Sequence, residues 1–308
     1  MSLAPALRLA ALLLTAGPQT QPAALTSLWR DAPADSARVR VDQLPDITEP
    51  SDLLLRQGRF YTISDSYRQV YEIDFSGPGG SIRRAASWTP VGLAQQTDLE
   101  AMAQLPGGEV LLASEGSGTL FVLSPFPNHA CAAWDTGVTG TCFFGRANCG
   151  IEAMAVLPGG RLFVAKEREP RSAWLFDLPA SSCAASKLAG RTYLKLPDEI
   201  GPDISAATYD AASGHLLVVA RAHQKVLELK VPQPTPGDSS PRTIDLVGSF
   251  SYAATEDSLG YQGLISHQVE GIAVDERRVL YLVVDNNDRP SARFGNRRPP
   301  LLRFFPVE

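Results

Sequence analysis

Short apolar strands recur along the chain in a fixed order. Residues 98–116 read "DLEAMAQLPGGEVLLASEG", in which two apolar runs are joined by Pro-Gly-Gly and the second run ends on an acid. Residues 150–168, "GIEAMAVLPGGRLFVAKER", repeat this order 52 residues later. Two short apolar runs separated by a glycine-containing turn are typical of a β-hairpin. The pattern therefore predicts two copies of one hairpin.

Three more stretches carry the same pattern: "EPSDLLLRQGRFYTISDS" from residue 49, "DISAATYDAASGHLLVVARA" from residue 203 and "VEGIAVDERRVLYLVVDNN" from residue 269. A third apolar run follows each hairpin: "QVYEID", "TLFVLS", "AWLFDL", "KVLELK" and "LLRFFPV". The return strands end on Asp65, Glu115, Glu167, Arg221 and Asp285, at spacings of 50, 52, 54 and 64 residues. A multi-strand repeat of about 40 to 50 residues is typical of propeller blades, and these repeats are somewhat longer.

These repeats predict an all-β chain folded as a β-propeller around a central channel. Blades packed in a ring bury both faces of each sheet and leave few exposed edges. The alternating stretch "ARVRVDQL", residues 37–44, is predicted to supply the outer strand of the last blade and so close the ring. Five blades are visible in the sequence. A sixth remains open between residues 231 and 268, where "RTIDLVGSFSYAA" has the pattern of a strand pair.

Composition supports this interpretation and sets one class of partner aside. The 308 residues include 25 Gly and 24 Pro, which suits many short strands joined by turns. The net charge is −5, and no basic stripe with interleaved aromatic residues is present. A nucleic-acid partner is therefore not expected.

The first residues predict export. Residues 1–25 combine one arginine, an apolar stretch and a polar, Pro-containing end, as in a secretory signal peptide. The stretch is too short to span a bilayer, and no other segment approaches about 18 apolar residues. We expect a periplasmic or extracellular monomer whose residues 26–308 form a single propeller domain.

Four cysteines fit an oxidising compartment. Sequence alone does not choose among the three possible pairings. We expect Cys131 with Cys142 and Cys149 with Cys183. A zinc site is the alternative, although no C-x-x-C spacing or histidine pair supports it.

The acids of the hairpins are predicted to face one another. Counting outward from the turn centres gives three opposed pairs: Glu100 with Glu115, Glu152 with Glu167, and Glu270 with Asp285. All six acids lie at the hairpin end remote from the turn, so they should converge on one mouth of the channel. Like charges placed directly opposite destabilise a strand pair. Calcium, which takes about six to eight oxygen ligands in irregular sites, would neutralise them.

Other oxygen-bearing side chains are candidates for the same rim. They are Asp98, Asn148 and Asn286. The alternative is that every one of these acids is a solvated strand end paired with a nearby arginine such as Arg168, Arg171 or Arg221.

The hairpins resemble those of the phytase-like domain family, named for "esterase-like activity of phytase". "NCGIEAMAVLPGGRLFVAKER" is similar to its N-x-G-x-E hairpin, "DLEAMAQLPGGEVLLASEG" to its D-x-E-G hairpin, "HLLVVAR" to its strand ending in arginine, and "VEGIAVDERRVLYLVVDNN" to its closing hairpin. The resemblance implies an exported, calcium-associated propeller that hydrolyses phosphate or other esters. Its motif positions carry over to Asp98, Glu100, Glu115, Asn148, Glu152, Glu167, Arg221, Glu270, Asp285 and Asn286. The related SdiA-regulated propellers share the pattern and look like binding proteins.

Two functions follow as hypotheses. As a calcium-dependent esterase, the chain would use Glu152 or Glu270 as general base and Arg221 to bind a phosphate or oxyanion. As a non-catalytic module, it would bind calcium together with a ligand or protein at the channel rim. A serine esterase is disfavoured, because no G-x-S-x-G motif is present.

Overall fold

A computed structural model describes residues 39–44, 47–75, 82–93, 98–141, 149–168, 170–232, 240–252, 268–285 and 298–306. Within these ranges the chain forms twenty-one strands and three one-turn 3₁₀ helices. The strands assemble into five sheets, in which the neighbours pair antiparallel apart from one short parallel pair. None of the helices in these ranges is long and apolar enough to cross a membrane.

Each sheet is one blade, and its strands follow one another along the chain. Blade 1 contains β2 (Pro50–Arg56), β3 (Arg59–Ser64), β4 (Gln69–Asp74) and β5 (Arg83–Trp88). Blade 2 contains β6 (Leu99–Gln104), β7 (Val110–Ser114), β8 (Thr119–Leu123) and β9 (Ala130–Asp135). Blade 3 contains β10 (Ile151–Leu157), β11 (Arg161–Lys166), β12 (Ser172–Asp177) and β13 (Ala189–Lys195), to which β17 (Arg242–Thr243) adds in parallel.

The last two blades complete the ring. Blade 4 contains β14 (Ala206–Asp210), β15 (His215–Ala220), β16 (Lys225–Lys230) and β18 (Asp245–Ser251). Blade 5 contains β19 (Val269–Val274), β20 (Leu280–Val284), β21 (Pro300–Phe304) and, at its outer edge, β1 (Val39–Gln43). The first strands of the blades contact one another in the closed order β2, β6, β10, β14, β19 and back to β2. The predicted propeller and its third strands are confirmed, and β1 closes the ring within the predicted segment 37–44, of which residues 37 and 38 lie outside the described residues.

The sixth blade that the sequence leaves open is not formed by the described part of the chain. The two strands in its region, β17 and β18, do not pair with each other. Instead β17 joins blade 3, and β18 is the outer strand of blade 4. Each of the two strands completes an existing sheet, so the described residues form five blades.

Five apolar clusters lie between adjacent blades, one at each interface around the ring. Between blades 3 and 4, for example, Phe163 and Leu175 pack in one cluster with Leu216 and Leu227. Because every blade buries both of its faces in this way, the first strands are held rigidly around the channel. The core thus fixes the positions of the residues at both ends of those strands.

The disulfide prediction is wrong. Cys131 bonds to Cys183, at a sequence separation of 52 residues. The bond joins β9 of blade 2 to the 3₁₀ turn Ser182–Ala184 beyond β12 of blade 3, where a parallel bridge between Asp135 and Lys187 already brings the two segments together. Cys149 is also disulfide-bonded, and Cys142 lies outside the described residues. Pairing by sequence proximity failed because the contact is made between blades.

Candidate functional site

Carboxylates from several blades gather at one mouth of the channel. The first strand of each blade begins at this end and the return strand finishes there, so both ends of a hairpin deliver side chains to it. Asp65 of blade 1 illustrates the crowding. Burial and the carboxylates of Glu49, Asp285 and Asp98 raise its pKa to about 7. Those neighbours come from blades 1, 5 and 2, so acids of three blades lie close together at the rim.

The predicted facing pairs are wrong. In blade 2 the Glu115 amide donates to the carbonyl of Asp98 at 3.0 Å, so Glu115 lies opposite Asp98. In blade 3 the Glu167 amide donates to Gly150 at 2.9 Å. In blade 5 the Asp285 amide donates in the same way to the carbonyl of Gln268 at 2.9 Å. The return-strand acids therefore do not face the acids of the first strands.

The difference has two sources. The ladders are centred half a residue before the assumed turn centres, since Gln104 pairs with Val110, Leu157 with Arg161 and Val274 with Leu280, and each of these three first strands also carries a β-bulge. The register shifts between Leu99 and Ala101, between Ile151 and Ala153, and between Val269 and Gly271. The extra residues at these shifts are Glu100, Glu152 and Glu270. A bulge bends the strand and redirects its side chains, and bulges often lie beside functional sites. Here the bulges place three glutamates at the mouth of the channel instead of in the ladder.

Five acids form what we call the acidic side of the mouth: Asp65, Asp98, Glu100, Glu115 and Glu152. Carboxylate oxygens of Glu100, Glu115 and Glu152 lie within 4.8 Å of one another. Oxygens of Asp65, Asp98 and Glu100 form a second such group, so Glu100 belongs to both. These distances allow one ion to contact three carboxylates at once.

Burial and neighbouring carboxylates raise the pKa values of the glutamates on the acidic side. Burial raises the pKa of Glu100 well above its ordinary value, and the carboxylates of Glu152 and Asp98 raise it further. Glu152, which is 6% exposed, has its pKa raised by burial and then by Glu270, Glu167 and Glu115. Such groups must take up protons or a cation before the cluster is electrically stable.

Glu115 is held in place by close backbone packing. It is 1% exposed, and its Oε1 accepts a hydrogen bond from the Gly150 amide at 3.0 Å. A Cβ on Gly150 would lie 1.9 Å from the Glu115 carbonyl oxygen, so only glycine fits there. Glu115 is also hydrogen-bonded to the side chain of Glu152. Two carboxyl groups share a hydrogen bond only when one is protonated, so this contact marks a place where a cation could replace a proton.

The rest of the rim forms what we call the arginine side: Glu167, Asp203, Arg221 and Glu270. Arg221 lies in the one-turn 3₁₀ helix Arg221–His223, and its side chain is 12% exposed. Its Nη1 donates to Glu270 at 2.5 Å, its Nη2 to Glu167, and its Nε to Asp203 at 3.4 Å. One guanidinium therefore joins blades 3, 4 and 5.

These contacts hold Arg221 charged. Burial by itself lowers its pKa, but the carboxylates of Glu270, Glu152 and Glu167 outweigh this and raise the pKa above its ordinary value. Glu167 receives a second cation, because Arg168 lies 2.9 Å from its Oε2. Among the described residues, the ion pairs of the rim acids all lie on the arginine side.

Glu270 differs from the other acids in having one oxygen held and one free. Arg221 holds its Oε1, whereas its buried Oε2 has no hydrogen-bond partner in the described part of the chain. Burial raises its pKa to about 7 although Arg221 lowers it, and Asp285 adds to the increase. A carboxylate with an oriented, unpartnered oxygen is placed to exchange a proton with a bound molecule.

Beyond the rim, the channel wall combines polar and apolar surface. The five first strands enclose a cavity of about 190 Å³, lined by residues that include Met102, Met154, Tyr209 and Val274. Met102 and Met154 each lie two residues beyond a rim glutamate on the same strand. The channel thus presents charged groups at the mouth and a mixture of uncharged polar and apolar surface further in.

The structure brings most of the predicted site residues together. Glu100, Glu115, Glu152 and Asp98 lie on the acidic side, Glu167, Arg221 and Glu270 lie on the arginine side, and Asp285 influences both Asp65 and Glu270. Asn148 and Asn286 lie outside the described residues.

Sequence reasoning missed three acids. Asp65 had been counted as a return-strand residue but left out of the site, although its position in the repeat matches that of Glu115. Asp203 stands two residues ahead of Ser205, which occupies the place of the other first-strand acids, yet its Oδ1 accepts the Ala222 amide at 2.8 Å. Asp52 has no counterpart among the acids of the other hairpins, and no pattern in the sequence pointed to it.

Comparison with known proteins gives a family and a fold. The family model described as "Phytase-like: Esterase-like activity of phytase" matches residues 47–288. Glutaminyl cyclase from Myxococcus xanthus superposes with a TM-score of 0.54 at 15% identity, covering 88% of this chain and 97% of that one. A luciferin-regenerating enzyme superposes with a TM-score of 0.52 at 10% identity, covering 87% and 96%. A search of curated proteins found no significant match.

At these identities the two solved structures establish the propeller fold alone. The expected relation to the SdiA-regulated propellers stays a prediction.

Proposed function

The chain belongs to the phytase-like family, and from that membership together with the acids at the channel mouth we propose that it is a calcium-dependent ester hydrolase. Phosphate esters are the substrate class that we place first, and carboxylic esters come second. The observation that carries the proposal is the group formed by Glu100, Glu115 and Glu152, whose carboxylate oxygens lie within 4.8 Å of one another.

The donor set fits calcium. Every group in the cluster is a carboxylate, and calcium prefers oxygen ligands in irregular arrangements of about six to eight. A soft metal such as zinc usually takes nitrogen or sulfur ligands, and none of the three acids supplies one. The bulges at Glu100 and Glu152 give the irregular backbone that such a site tolerates. A cation would also relieve the repulsion that raises the pKa of both glutamates.

Calcium bound there would act as a Lewis acid toward an ester oxygen and would lower the pKa of a bound water. The residues of the acidic side would serve as its ligands, with Glu100 central because it belongs to both groups of acids.

The arginine side supplies the remaining chemistry. Glu270, with Oε1 held by Arg221 and Oε2 unpartnered in the described chain, is the group that we assign as general base. It would accept a proton from water as the water oxygen bonds to phosphorus and the bond to the alcohol oxygen breaks. Glu152, the other predicted base, is occupied by its contact with Glu115 and suits a ligand role. Arg221 would bind a phosphate oxygen through its planar set of donors.

A second function competes, and one observation favours it. Three donors of Arg221 are already directed at Glu270, Glu167 and Asp203. A guanidinium held by three carboxylates is a structural brace as it stands, and it would have to exchange a partner to bind a phosphate. The alternative is a non-catalytic calcium-binding propeller whose rim binds a ligand or a protein.

An ester panel separates the two functions. Chelator-treated protein is assayed with p-nitrophenyl phosphate and p-nitrophenyl acetate, with and without added calcium. The hydrolase is supported by calcium-dependent turnover that Glu270→Gln abolishes and Glu72→Gln leaves intact. Glu72 is a suitable control because it pairs with Arg59 at 2.7 Å on the blade 1 strands β4 and β3, away from the mouth. Calcium binding without turnover of either ester favours the binding module.

Export remains part of the proposal. The Cys131–Cys183 bond and the disulfide at Cys149 support an oxidising compartment such as the periplasm or the exterior. Expression of the full chain followed by fractionation and N-terminal sequencing tests this. Retention of residues 1–25 on protein recovered from the cytoplasm would contradict it.

A further inference from the structure

Asp52 is a buried carboxylate of the channel wall that has no part in the chemistry proposed above. It lies in β2 and is 2% exposed. Its Oδ1 accepts a hydrogen bond from the Leu53 amide at 2.7 Å, and its Oδ2 accepts one from the Met102 amide at 2.5 Å. The Ile272 amide donates to the same carboxylate. One side chain therefore connects β2, β6 and β19, which are neighbours in the ring.

The three amides lie just beyond the bulges of their strands. Met102 follows Glu100 by two residues, and Ile272 follows Glu270 by two residues. In β2 the register shifts directly before Asp52 itself. β6 and β19 are edge strands of their sheets, so alternate amides such as those of Met102 and Ile272 point away from the ladder, and a buried amide of this kind needs another acceptor. Asp52 supplies that acceptor for β6 and β19, two residues after the bulge residues Glu100 and Glu270.

The other bulged blades have no comparable side chain at this position. The register aligns Asp52 with Ala101, Ala153 and Gly271, and none of these residues carries a side-chain acceptor. The approach of the neighbouring strand is close. A Cβ on Gly271 would lie 2.6 Å from the backbone carbonyl carbon of Asp52. Gly271 therefore admits β2 next to β19, and Asp52 ties the two strands together.

We propose that Asp52 is a positioning residue for Glu100 and Glu270. By holding the strand segments that follow both bulges, it keeps Glu100 directed at the acidic side and Glu270 directed at Arg221. The inference rests on the proposed function for its consequence, because these two glutamates are the central calcium ligand and the general base. Loss of Asp52 should therefore weaken calcium binding and turnover, although Asp52 touches neither calcium nor ester.

The test compares Asp52→Asn with Asp210→Asn. Asp210 is also 2% exposed, accepts a backbone amide, from Ala212 at 3.0 Å, and pairs with Arg278, but it lies at the far end of β14. Both variants lose a buried carboxylate, so both should lower the melting midpoint. Calcium affinity is measured by titration calorimetry at a temperature where both are folded, and metal-free crystal structures are determined for both variants and the wild type.

We expect Asp52→Asn to weaken calcium binding about tenfold or more, as changes behind a metal ligand commonly do, while Asp210→Asn leaves it within about twofold. The crystal structures should show the Glu100 and Glu270 carboxylates displaced in Asp52→Asn only. Unchanged affinity together with unchanged carboxylates in Asp52→Asn would overturn the proposal and leave Asp52 a stabilising residue.

The two readouts separate this inference from the proposed function. If wild-type protein binds no calcium, the proposed function fails, and the crystal structures alone decide whether Asp52 positions the glutamates. If Asp52→Asn does not fold, Asp52→Ser takes its place with the same readouts, because its hydroxyl can still accept one hydrogen bond.

Discussion

The two sides of the channel mouth both bring carboxylates close together, but they differ in the source of the neutralising positive charge. On the arginine side, Arg221 lies among Glu167, Asp203 and Glu270 and supplies the cation from within the chain. On the acidic side, Glu100 and Glu152 have no ion pair in the described part of the chain, and their pKa values are raised. The acidic side must obtain its positive charge from solvent, as protons or as a metal ion.

A single repeat position creates this difference. The return strands of blades 1, 2, 3 and 5 are followed by an acid, whereas that of blade 4 is followed by Arg221. An arginine at one position of the repeated pattern therefore divides the ring of acids into two parts. Arg221 neutralises the arginine side, whereas the acidic side needs a cation or protons from solvent. Substitutions on the arginine side should therefore cause the largest losses of stability. Substitutions on the acidic side should change calcium affinity most specifically.

Replacing Arg221 tests the arginine side. Arg221→Met leaves three carboxylates without their shared cation, and breaking a buried ion pair costs about 3–5 kcal/mol of unfolding free energy. The control is Arg168→Met, because Arg168 is 40% exposed and contacts Glu167 alone among the rim acids in the recorded ion pairs. An exposed pair contributes about 0–1 kcal/mol. Denaturant unfolding at pH 7 measures both, and equal losses in the two variants would show that Arg221 is not the brace of this side.

Removing the inter-blade disulfide tests whether the mouth responds to stability in general. The double variant Cys131→Ser, Cys183→Ser opens a link that spans 52 residues, and such a loss costs about 2–5 kcal/mol. Because the bond lies on the outer part of blades 2 and 3, calcium affinity should stay as in the wild type. A parallel fall in stability and calcium affinity would mean that the rim depends on overall rigidity more than on its own contacts.

Neutralising one acid on each side should give opposite results. Glu100→Gln removes like-charge repulsion, so the metal-free protein should melt higher near pH 8 while calcium affinity falls about tenfold or more with the lost ligand charge. Glu167→Gln deprives Arg221 of a partner, so the metal-free protein should melt lower with a smaller change in calcium affinity. Thermal melts and calorimetric titrations of both variants are the measurement. Shifts of the same sign in the metal-free melts would remove the distinction between the two sides.

The pH dependence of stability gives the smallest and most general test. Burial first, then Glu49 and its neighbours, raise the pKa of Asp65 to about 7, compared with about 4 in an unfolded chain. The folded protein binds protons that the unfolded chain has released, so this contribution to stability is full below about pH 4 and is lost as the pH rises through about 7. Metal-free protein should therefore melt lower at pH 8 than at pH 5.

Saturating calcium should flatten that decline, because the ion replaces the protons. Melting midpoints with chelator and with calcium at the two pH values supply the comparison. If the melting midpoint falls equally between pH 5 and pH 8 with chelator and with calcium, protons and calcium do not bind to the same carboxylates.

The fold was largely predictable, because its information is local and repeated. Five hairpins, four of them with glycine turns, their third strands and the closing strand β1 follow from apolar patterning. The sequence left a sixth blade open for a related reason. Strand patterning shows that β17 and β18 are strands, but not which sheet each of them joins.

The site was predictable in composition but not in geometry. Counting from the turn centre placed that centre half a residue too late and assumed an unbroken ladder, and no local pattern marks the bulge at Glu100. Asp52 escaped notice for the same reason, since its partner amides come from β6 and β19. The Cys131–Cys183 bond likewise depends on how blade 2 meets blade 3. Contacts between blades, such as these, cannot be predicted from the pattern of a single repeat.

The most direct test of the central claim is a crystal structure of chelator-treated protein equilibrated with calcium. We predict anomalous density on the acidic side, about 2.3–2.6 Å from carboxylate oxygens of Glu100, Glu115 and Glu152. Arg221 should keep its contacts with Glu167 and Glu270. Density among the arginine-side acids with Arg221 displaced, or no density at the mouth at saturating calcium, would contradict the account.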